Sequence, residues 1–158
     1  MSRQGILPPI VIYARNSSNE AVFIPSSAKL GSLKTMRVLI VDDNNEYRRF
    51  LRRILEVQQD WMLVGEASDG EEGVRLAQQL KPDVILMDID MPGTNGLQAT
   101  RRIKHSFAGA TVLLLSAWDS AAYRQGAADC GADDYLLKTM PISEFLSVLR
   151  SVRPTKTA

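Results

Sequence analysis

The sequence has almost none of the residues from which disulfides and thiolate metal clusters are made. Cys130 is its only cysteine, which excludes an internal disulfide and a site built from several thiolates. We interpret it as a small buried apolar residue in a protein of the reducing cytosol. His105 is the only histidine, and its place late in a predicted helix favours a solvated side chain.

The chain also lacks an excess of one charge and a long apolar run. Its 19 basic and 18 acidic residues leave a net charge of +1, so there is no general field to attract nucleic acid or anionic lipid. No segment approaches the roughly 18 apolar residues needed to cross a bilayer. The first apolar stretch is interrupted by Pro8 and Pro9 and has no small-residue cleavage site. We expect a cytoplasmic protein without membrane or direct nucleic-acid contacts.

The 158 residues have room for one ordinary domain. Residues 1–35 differ from the rest, with two short apolar patches at 10–13 and 21–24 separated by polar residues. They are too few to form a second core. We predict a poorly ordered extension, with the alternative that the patches are strands that join a sheet edge or cover an apolar surface. The regular domain is predicted over 36–153, followed by a tail at 154–158.

Within that domain, short apolar strands alternate with amphipathic helices. The predicted strands are 38–41, 62–67, 84–88, 111–116 and 134–138. After each strand, apolar residues recur at three and four positions, the period of a helix with one buried face. This alternation predicts right-handed βαβ units. The fold class is therefore α/β, with a five-stranded parallel sheet and helices on both of its faces.

Several local signals mark the helices. Asp69, with Glu72 three residues later, resembles a capping box. Asp119 is predicted to open the fourth helix, and Pro141 fits the first turn of the fifth. The outer face of the first helix carries four basic residues that we interpret as solvated: Arg48, Arg49, Arg52 and Arg53.

Polar residues stand at four of the five strand ends. They are Asp42 and Asp43 after the first strand, Asp88 at the end of the third, Ser116 at the end of the fourth and Lys138 at the end of the fifth. Because parallel strands share one carboxyl edge, where open α/β sheets bind their ligands, we expect these side chains to meet.

The three carboxylates of this set predict a cation site. At about 5 Å and an effective dielectric of about 20, each pair costs roughly 3 kcal/mol, so the cluster requires compensation. Oxygen ligands completed by water suit Mg²⁺, and Lys138 supplies a second positive charge. An Asp carboxylate in such a site can attack a phosphoryl donor. Ser116 can donate a hydrogen bond to the bound phosphoryl group.

The residues at this edge resemble those of a known family, the receiver domains of bacterial response regulators, which are the phosphoacceptors of two-component signalling. The matching residues are Val41-Asp42-Asp43, Met87-Asp88-Ile89-Asp90-Met91-Pro92-Gly93, Asn95-Gly96, Ser116-Ala117, Gly131-Ala132 and Tyr135-Leu136-Leu137-Lys138. Leu-Leu-Lys without a following proline, together with Gly93-Thr94-Asn95-Gly96-Leu97, is most similar to receivers of helix-turn-helix transcription regulators. The resemblance implies a flavodoxin-like (βα)5 fold with strand order 2-1-3-4-5.

The resemblance also implies roles for the acidic residues. Asp88 would accept a phosphoryl group from a histidine kinase or a histidine phosphotransfer protein. Asp43 and Asp88 would bind Mg²⁺ directly, Asp42 through water, and Asp90 through its backbone carbonyl. Lys138 would bind the phosphoryl group.

Further residues are implied in switching and in tuning the phosphoryl lifetime. Ser116 would turn toward the phosphoryl group and the ring of Tyr135 would turn inward behind it. Asp90 and Trp118 lie where the family varies its tuning residues. Trp118 either shields the acyl phosphate or is an exposed aromatic that touches a loop. The fourth helix, fifth strand and fifth helix would form a face for a homodimer or another partner.

Several functional interpretations remain open from the sequence. The preferred one is a stand-alone receiver that is not an enzyme beyond slow self-phosphorylation and self-dephosphorylation. The second is a receiver fragment of a DNA-binding transcriptional regulator whose output domain is absent. A remote third is an aspartate-nucleophile phosphatase, since Asp88-Ile89-Asp90 matches a DxD motif. That family expects Thr or Val where Pro92 stands. A degenerate receiver is disfavoured because every expected site residue is present.

Overall fold

The computed structural model describes residues 12–15, 21–24 and 35–152. The chain divides into two units, between residues 33 and 34. In the first unit, β1 (Ile12–Arg15) and β2 (Ala21–Ile24) form an antiparallel pair. The predicted poor order of the other residues of this extension, and the tail at 154–158, lie outside the described part of the chain.

The second unit repeats a strand followed by a helix five times. Its elements are β3 (Met36–Val41), α1 (Asn45–Glu56), β4 (Trp61–Ala67), α2 (Gly70–Leu80), β5 (Val84–Asp88), α3 (Gly96–Ser106), β6 (Thr111–Ser116), α4 (Ala121–Cys130), β7 (Asp134–Leu137) and α5 (Ile142–Ser151). All neighbouring strands are parallel, in the order β4-β3-β5-β6-β7. This is the predicted order 2-1-3-4-5, so the α/β fold is confirmed.

The sheet is buried on both faces because its central strands are continuous apolar runs over most of their length, with polar residues near their ends. All five residues of β5 are buried. Alternate strand residues point to opposite faces and feed two separate core clusters. One cluster contains Ile85 and Met87 with residues of α2, α3 and α4, and the other contains Val84 and Leu86 with residues of α1 and α5. None of the helices in the described part of the chain is long and apolar enough to span a membrane.

The helix starts agree with the sequence signals in one case and differ in two. Asp69 caps α2, where it accepts a hydrogen bond from Glu72 N at 2.9 Å. α4 is capped by Ser120 instead of Asp119, whose carboxylate pairs with Arg124. Pro141 occupies the N-cap of α5, one position before the predicted first turn.

One glycine sets the distance between the end of β5 and the start of α3. A Cβ on Gly96 would lie 2.0 Å from the carbonyl oxygen of Asp88, so any larger residue would displace the helix from the strand. Asn95 caps the helix in a complete capping box with Gln98. The loop that leaves Asp88 therefore turns back tightly beside it.

Candidate functional site

Three carboxylates meet at the carboxyl edge of the two central strands. Asp42 and Asp43 follow β3, Asp88 ends β5, and the two strands are paired up to Val41 and Met87. Carboxylate oxygens of the three residues all lie within 4.8 Å of one another. Asp42 and Asp88 are 0% and 3% exposed, whereas Asp43 is exposed. This set of oxygen donors fits a hard cation such as Mg²⁺.

Lys138 reaches the same cluster from the loop after β7. Its Nζ lies 2.6 Å from Asp42 Oδ2 and 3.0 Å from Asp88 Oδ1, and its side chain is 17% exposed. The ammonium also lies 4.5 Å from the ring centroid of Tyr47, a cation–π contact. β7 ends at Leu137, so Lys138 lies just beyond the strand and not inside it as predicted. One ammonium does not balance three carboxylates, which leaves the cluster negative.

Burial and crowding of charge shift the acid–base properties of the cluster. Burial, together with the charge of Asp42, raises the pKa of Asp88 to about 6, against the opposing effect of Lys138. The pKa of Lys138 is raised: burial acts against this, but hydrogen bonding to Asp42 and the charge of Asp88 outweigh it. Burial and the charge of Asp42 likewise raise the pKa of Tyr47. A bound cation would relieve the repulsion that Lys138 only partly compensates.

The hydroxyl groups of Ser116 and Tyr135 meet at the backbone of Trp118 and not at Asp88. Ser116 Oγ is buried, donates to the Trp118 carbonyl at 3.1 Å and accepts from Trp118 N at 3.1 Å. The hydroxyl of Tyr135 donates to the same carbonyl. Trp118 is 69% exposed. The structure thus brings the two predicted switch residues together through the loop between β6 and α4.

Asp90 lies at the rim of the site, on the loop between β5 and α3. Its side chain is exposed, and Oδ1 accepts a hydrogen bond from the hydroxyl of Tyr123 at 2.5 Å. Sequence reasoning did not identify Tyr123, because the partner lies 33 residues away and no local pattern joins the two. His105 is exposed in the last turn of α3, as expected.

The basic face of α1 is only partly solvated, since Arg48 is largely buried and two of the four arginines pair with an acid of the neighbouring strand. Arg48 and Arg52 both pair with Glu66 of β4, at 3.4 and 2.6 Å. Arg48 Nη1 also donates to the carbonyl of Asp42 at 2.7 Å. Asn44 was also missed: its N–H donates to Asp42 Oδ1 at 2.8 Å while its side chain caps α1. An Asn directly before a helical pattern is a recognisable cap signal.

Known proteins have sequences similar to that of this chain. Residues 38–150 match the family described as the response regulator receiver domain. The transcriptional regulatory protein LiaR of Bacillus subtilis (strain 168) is 40% identical over 116 residues, which is 73% of this chain and 55% of LiaR. The nitrate/nitrite response regulator protein NarL of Escherichia coli (strain K12) is 35% identical over 112 residues, 71% of this chain and 52% of NarL. The chain therefore spans about half the length of these curated relatives.

Solved structures agree with this assignment. A two-component response regulator of the LuxR family from Aurantimonas sp. SI85-9A1 is 31% identical with a TM-score of 0.71, over 74% of this chain and 84% of that protein. The response regulator domain of Thermotoga maritima CheB is 36% identical with a TM-score of 0.69, over 76% of this chain and 99% of that domain. Since sequence and fold agree over most of its length, the chain belongs to the family of response regulator receiver domains, and its relatives are of the LuxR and NarL type.

Proposed function

We propose that Asp88 is the phosphoacceptor of this receiver domain. The observation that supports this most is the environment of its carboxylate, which is buried at a strand end, within reach of two further carboxylates and 3.0 Å from Lys138 Nζ. A buried carboxylate whose charge is only partly neutralised destabilises the fold, so its presence indicates a functional role more than a structural one. The negative cluster would bind a divalent cation. The carboxylate of Asp88 would then attack the electrophilic phosphorus of a donor.

Mg²⁺ is the cation that this set of ligands suits best, and it would neutralise charge on the phosphoryl oxygens. We assign Asp43 and Asp88 as direct ligands. Both oxygens of Asp42 already accept hydrogen bonds, Oδ1 from Asn44 N and Oδ2 from Lys138 Nζ, which supports its predicted action through water. The backbone carbonyl of Asp90 is the remaining proposed ligand.

The chain's own residues would carry out the phosphoryl transfer. An oxygen of Asp88, in its unprotonated form, attacks the phosphorus of a phosphohistidine. The new P–O bond forms as the P–N bond breaks, and the departing imidazole nitrogen keeps the electron pair and takes up a proton from water. The transferred group is negative and would lie beside the carboxylate of Asp42. The ammonium of Lys138, which contacts both Asp42 and Asp88, would partly neutralise this charge.

Phosphorylation would then change the hydrogen bonds of the switch residues. A phosphoryl oxygen on Asp88 is a stronger acceptor than the Trp118 carbonyl, to which Ser116 Oγ now donates. If Ser116 turns to that oxygen, the loop before α4 loses two hydrogen bonds and Tyr135 loses a fixed acceptor. Because the phosphoryl group binds Ser116 in only one arrangement of this loop, phosphorylation would shift the populations of the conformations of α4, β7 and α5. This face is the proposed surface for dimerisation or for another partner.

The proposed biological role is that of a signalling module and not of an enzyme. A histidine kinase or a histidine phosphotransfer protein would supply the phosphoryl group. The names of LiaR and NarL describe a transcriptional regulator and a nitrate/nitrite response regulator, so transcriptional control through a DNA-binding domain on a longer protein is the second candidate. Both candidates require the same phosphorylated Asp88.

Intact-mass spectrometry after incubation with Mg²⁺ and acetyl phosphate tests the assignment. Wild type should gain one phosphoryl group that is stable in acid and lost in base, and Asp88→Asn should gain none. Asp60→Asn is the matched control, because Asp60 is an exposed aspartate in the turn before β4, at the opposite edge of the sheet. No gain in wild type, even after rapid quenching with EDTA, would refute the proposal.

A further inference from the structure

Tyr123 belongs neither to the acidic cluster nor to the switch pair, yet it binds a residue at the rim of the site. It is the third residue of α4, and its hydroxyl donates to Oδ1 of Asp90 at 2.5 Å. Asp90 lies two residues beyond Asp88 on the loop after β5. This hydrogen bond therefore joins the loop that follows the phosphoacceptor to the start of a different helix.

The two joined segments follow neighbouring strands of the sheet, and one of these strands ends at Asp88. β5 and β6 are paired neighbours, with Asp88 opposite Leu115, so the loops that follow them leave the sheet next to each other. The hydroxyl of Tyr123, on the segment that follows β6, reaches Asp90 on the loop that follows β5. The Tyr123–Asp90 bridge thus joins the loops of two neighbouring strands at the sheet edge where Asp88 lies.

Arg124, the residue after Tyr123, connects the same helix turn to Tyr135 of the proposed switch pair. The guanidinium of Arg124 lies 4.9 Å from the ring centroid of Tyr135, and its Nε bonds Asp119 Oδ1 at 2.8 Å. The start of α4 is consequently held at two points, to the loop after β5 through Tyr123 and to Tyr135 through Arg124.

We propose that Tyr123 is a positioning residue that holds Asp90 across the rim of the site and thereby limits the access of water to phosphorylated Asp88. The inference rests on the proposed function, since it concerns the lifetime of the phosphoryl group that Asp88 accepts. In the hydrolysis that the bridge slows, a water oxygen attacks the phosphorus and the P–O bond to Asp88 breaks. The carboxylate leaves with the electron pair, the water proton passes to solvent, and inorganic phosphate departs.

Removing the Tyr123 hydroxyl should shorten the lifetime of the phosphoryl group. Tyr123→Phe keeps the ring, which packs against the core cluster beside α2, α3 and α4, and loses only the bridge. We expect hydrolysis to accelerate about threefold to tenfold, well below the 10²–10⁴ that a fully positioned acid or base contributes. Asp90→Ala removes the other end of the same bridge.

The experiment follows the loss of phosphoryl mass after the phosphodonor is removed, in the presence of Mg²⁺. Four variants are compared with wild type: Tyr123→Phe, Asp90→Ala, the double variant, and Gln125→Ala. Gln125 is the control in the same helix, since its side chain bonds Asp129 and not the site. Tyr123→Phe should shorten the lifetime in the wild-type background and add nothing in the Asp90→Ala background, and Gln125→Ala should leave it unchanged.

Each other outcome has a separate meaning. An unchanged lifetime in Tyr123→Phe overturns the inference while leaving Asp88 as the phosphoacceptor. An equal effect of Tyr123→Phe with and without Asp90 also overturns it, because a general perturbation of α4 would act independently of the bridge. If wild type itself is never phosphorylated, the proposed function and the inference both fail.

Discussion

The acidic half of the site and its switch half differ in what their polar groups bind. Asp42, Asp88 and Lys138 already contact one another, whereas Ser116 and Tyr135 bind the carbonyl of Trp118. The first half is assembled without a phosphoryl group, and its cost is the repulsion between buried carboxylates. The hydroxyls of the second half bond to a carbonyl outside the cluster, and in the proposed switch they would exchange partners. The proposed binding chemistry and the proposed conformational response are therefore separated within one sheet edge.

The largest effect should follow removal of the only ammonium in the acidic half. Lys138→Ala leaves the buried Asp42 and Asp88 without their counter-charge, and we expect a loss of about 2–4 kcal/mol in the free energy of unfolding at pH 7. The loss should shrink below about pH 6, where Asp88 becomes protonated. Urea denaturation in EDTA measures both.

Lys104→Ala is the matched control for that variant. Lys104 has the same 17% side-chain exposure and also binds a carboxylate, that of Asp133, which is itself 42% exposed. An ion pair with one partly exposed partner contributes little to stability. We therefore expect a loss of no more than about 1 kcal/mol in the free energy of unfolding. Equal losses of unfolding free energy in the two lysine variants would mean that the buried carboxylates of the acidic half do not depend on Lys138 for charge compensation.

Asp88→Asn should act in the opposite direction and stabilise the protein at pH 7. The pKa of Asp88 is raised from 3.8 to about 6, so the unfolded state holds fewer protons than the folded state between these values. The stability associated with protonated Asp88 is present below about pH 4 and is lost as the pH rises through 6. An uncharged amide avoids this loss, which amounts to at most about 3 kcal/mol above pH 7.

Paired urea denaturation of wild type and Asp88→Asn from pH 4 to pH 8, without divalent metal, measures this difference. The advantage of the variant should grow with pH and level off above about 7. A variant that is less stable than wild type at every pH would contradict the assignment of repulsion to the acidic half.

Mg²⁺ should relieve the same repulsion in wild type with a smaller effect. At a concentration ten times its dissociation constant, a ligand that binds only the folded state adds about 1.4 kcal/mol. Thermal unfolding with and without MgCl₂ measures the shift, and Asp43→Asn should abolish most of it. A shift of equal size in Asp43→Asn would exclude this carboxylate as a ligand.

The smallest effect on stability should come from the switch half. Ser116→Ala removes hydrogen bonds to Trp118 N and O, and we expect a loss of about 0.5–1.5 kcal/mol. Ser147→Ala, at an exposed serine of α5, is the control and should change stability by less than that. Phosphorylation by acetyl phosphate should slow in Ser116→Ala but less than in Lys138→Ala. A larger defect in phosphorylation in Ser116→Ala than in Lys138→Ala would mean that the serine belongs to the acidic half.

Much of the fold and of the acidic half could be predicted because the determining patterns are local. The apolar run 84–87, which leads into Asp88, predicts a strand buried on both faces, and the structure confirms it. Parallel strands share a carboxyl edge, so residues at the ends of separate strands meet without any knowledge of the loops. Gly96 was recognised only as part of a matching Asn-Gly pair. Its physical reason, the close approach to the Asp88 carbonyl, required the three-dimensional structure.

Long-range partners could not be predicted because side-chain direction and competing acceptors decide them. Arg52 was placed on an outer helix face, yet Glu66 on the neighbouring strand lies within 2.6 Å of it. Asp119 was expected to open α4, but Ser120 is the cap, and the carboxylate of Asp119 pairs with Arg124. In each case the partner of a charged side chain depends on where the surrounding backbone places it.

The sequence by itself determined the α/β architecture and which residues stand at the strand ends, since hydrophobic periodicity and turn residues act over a few positions. Only the tertiary structure decided that Lys138 spans both Asp42 and Asp88, that Ser116 and Tyr135 share the Trp118 carbonyl, and that Tyr123 binds Asp90. These contacts join residues from different strands and helices, and their distances are fixed by how the packed elements place each backbone, which no local pattern encodes.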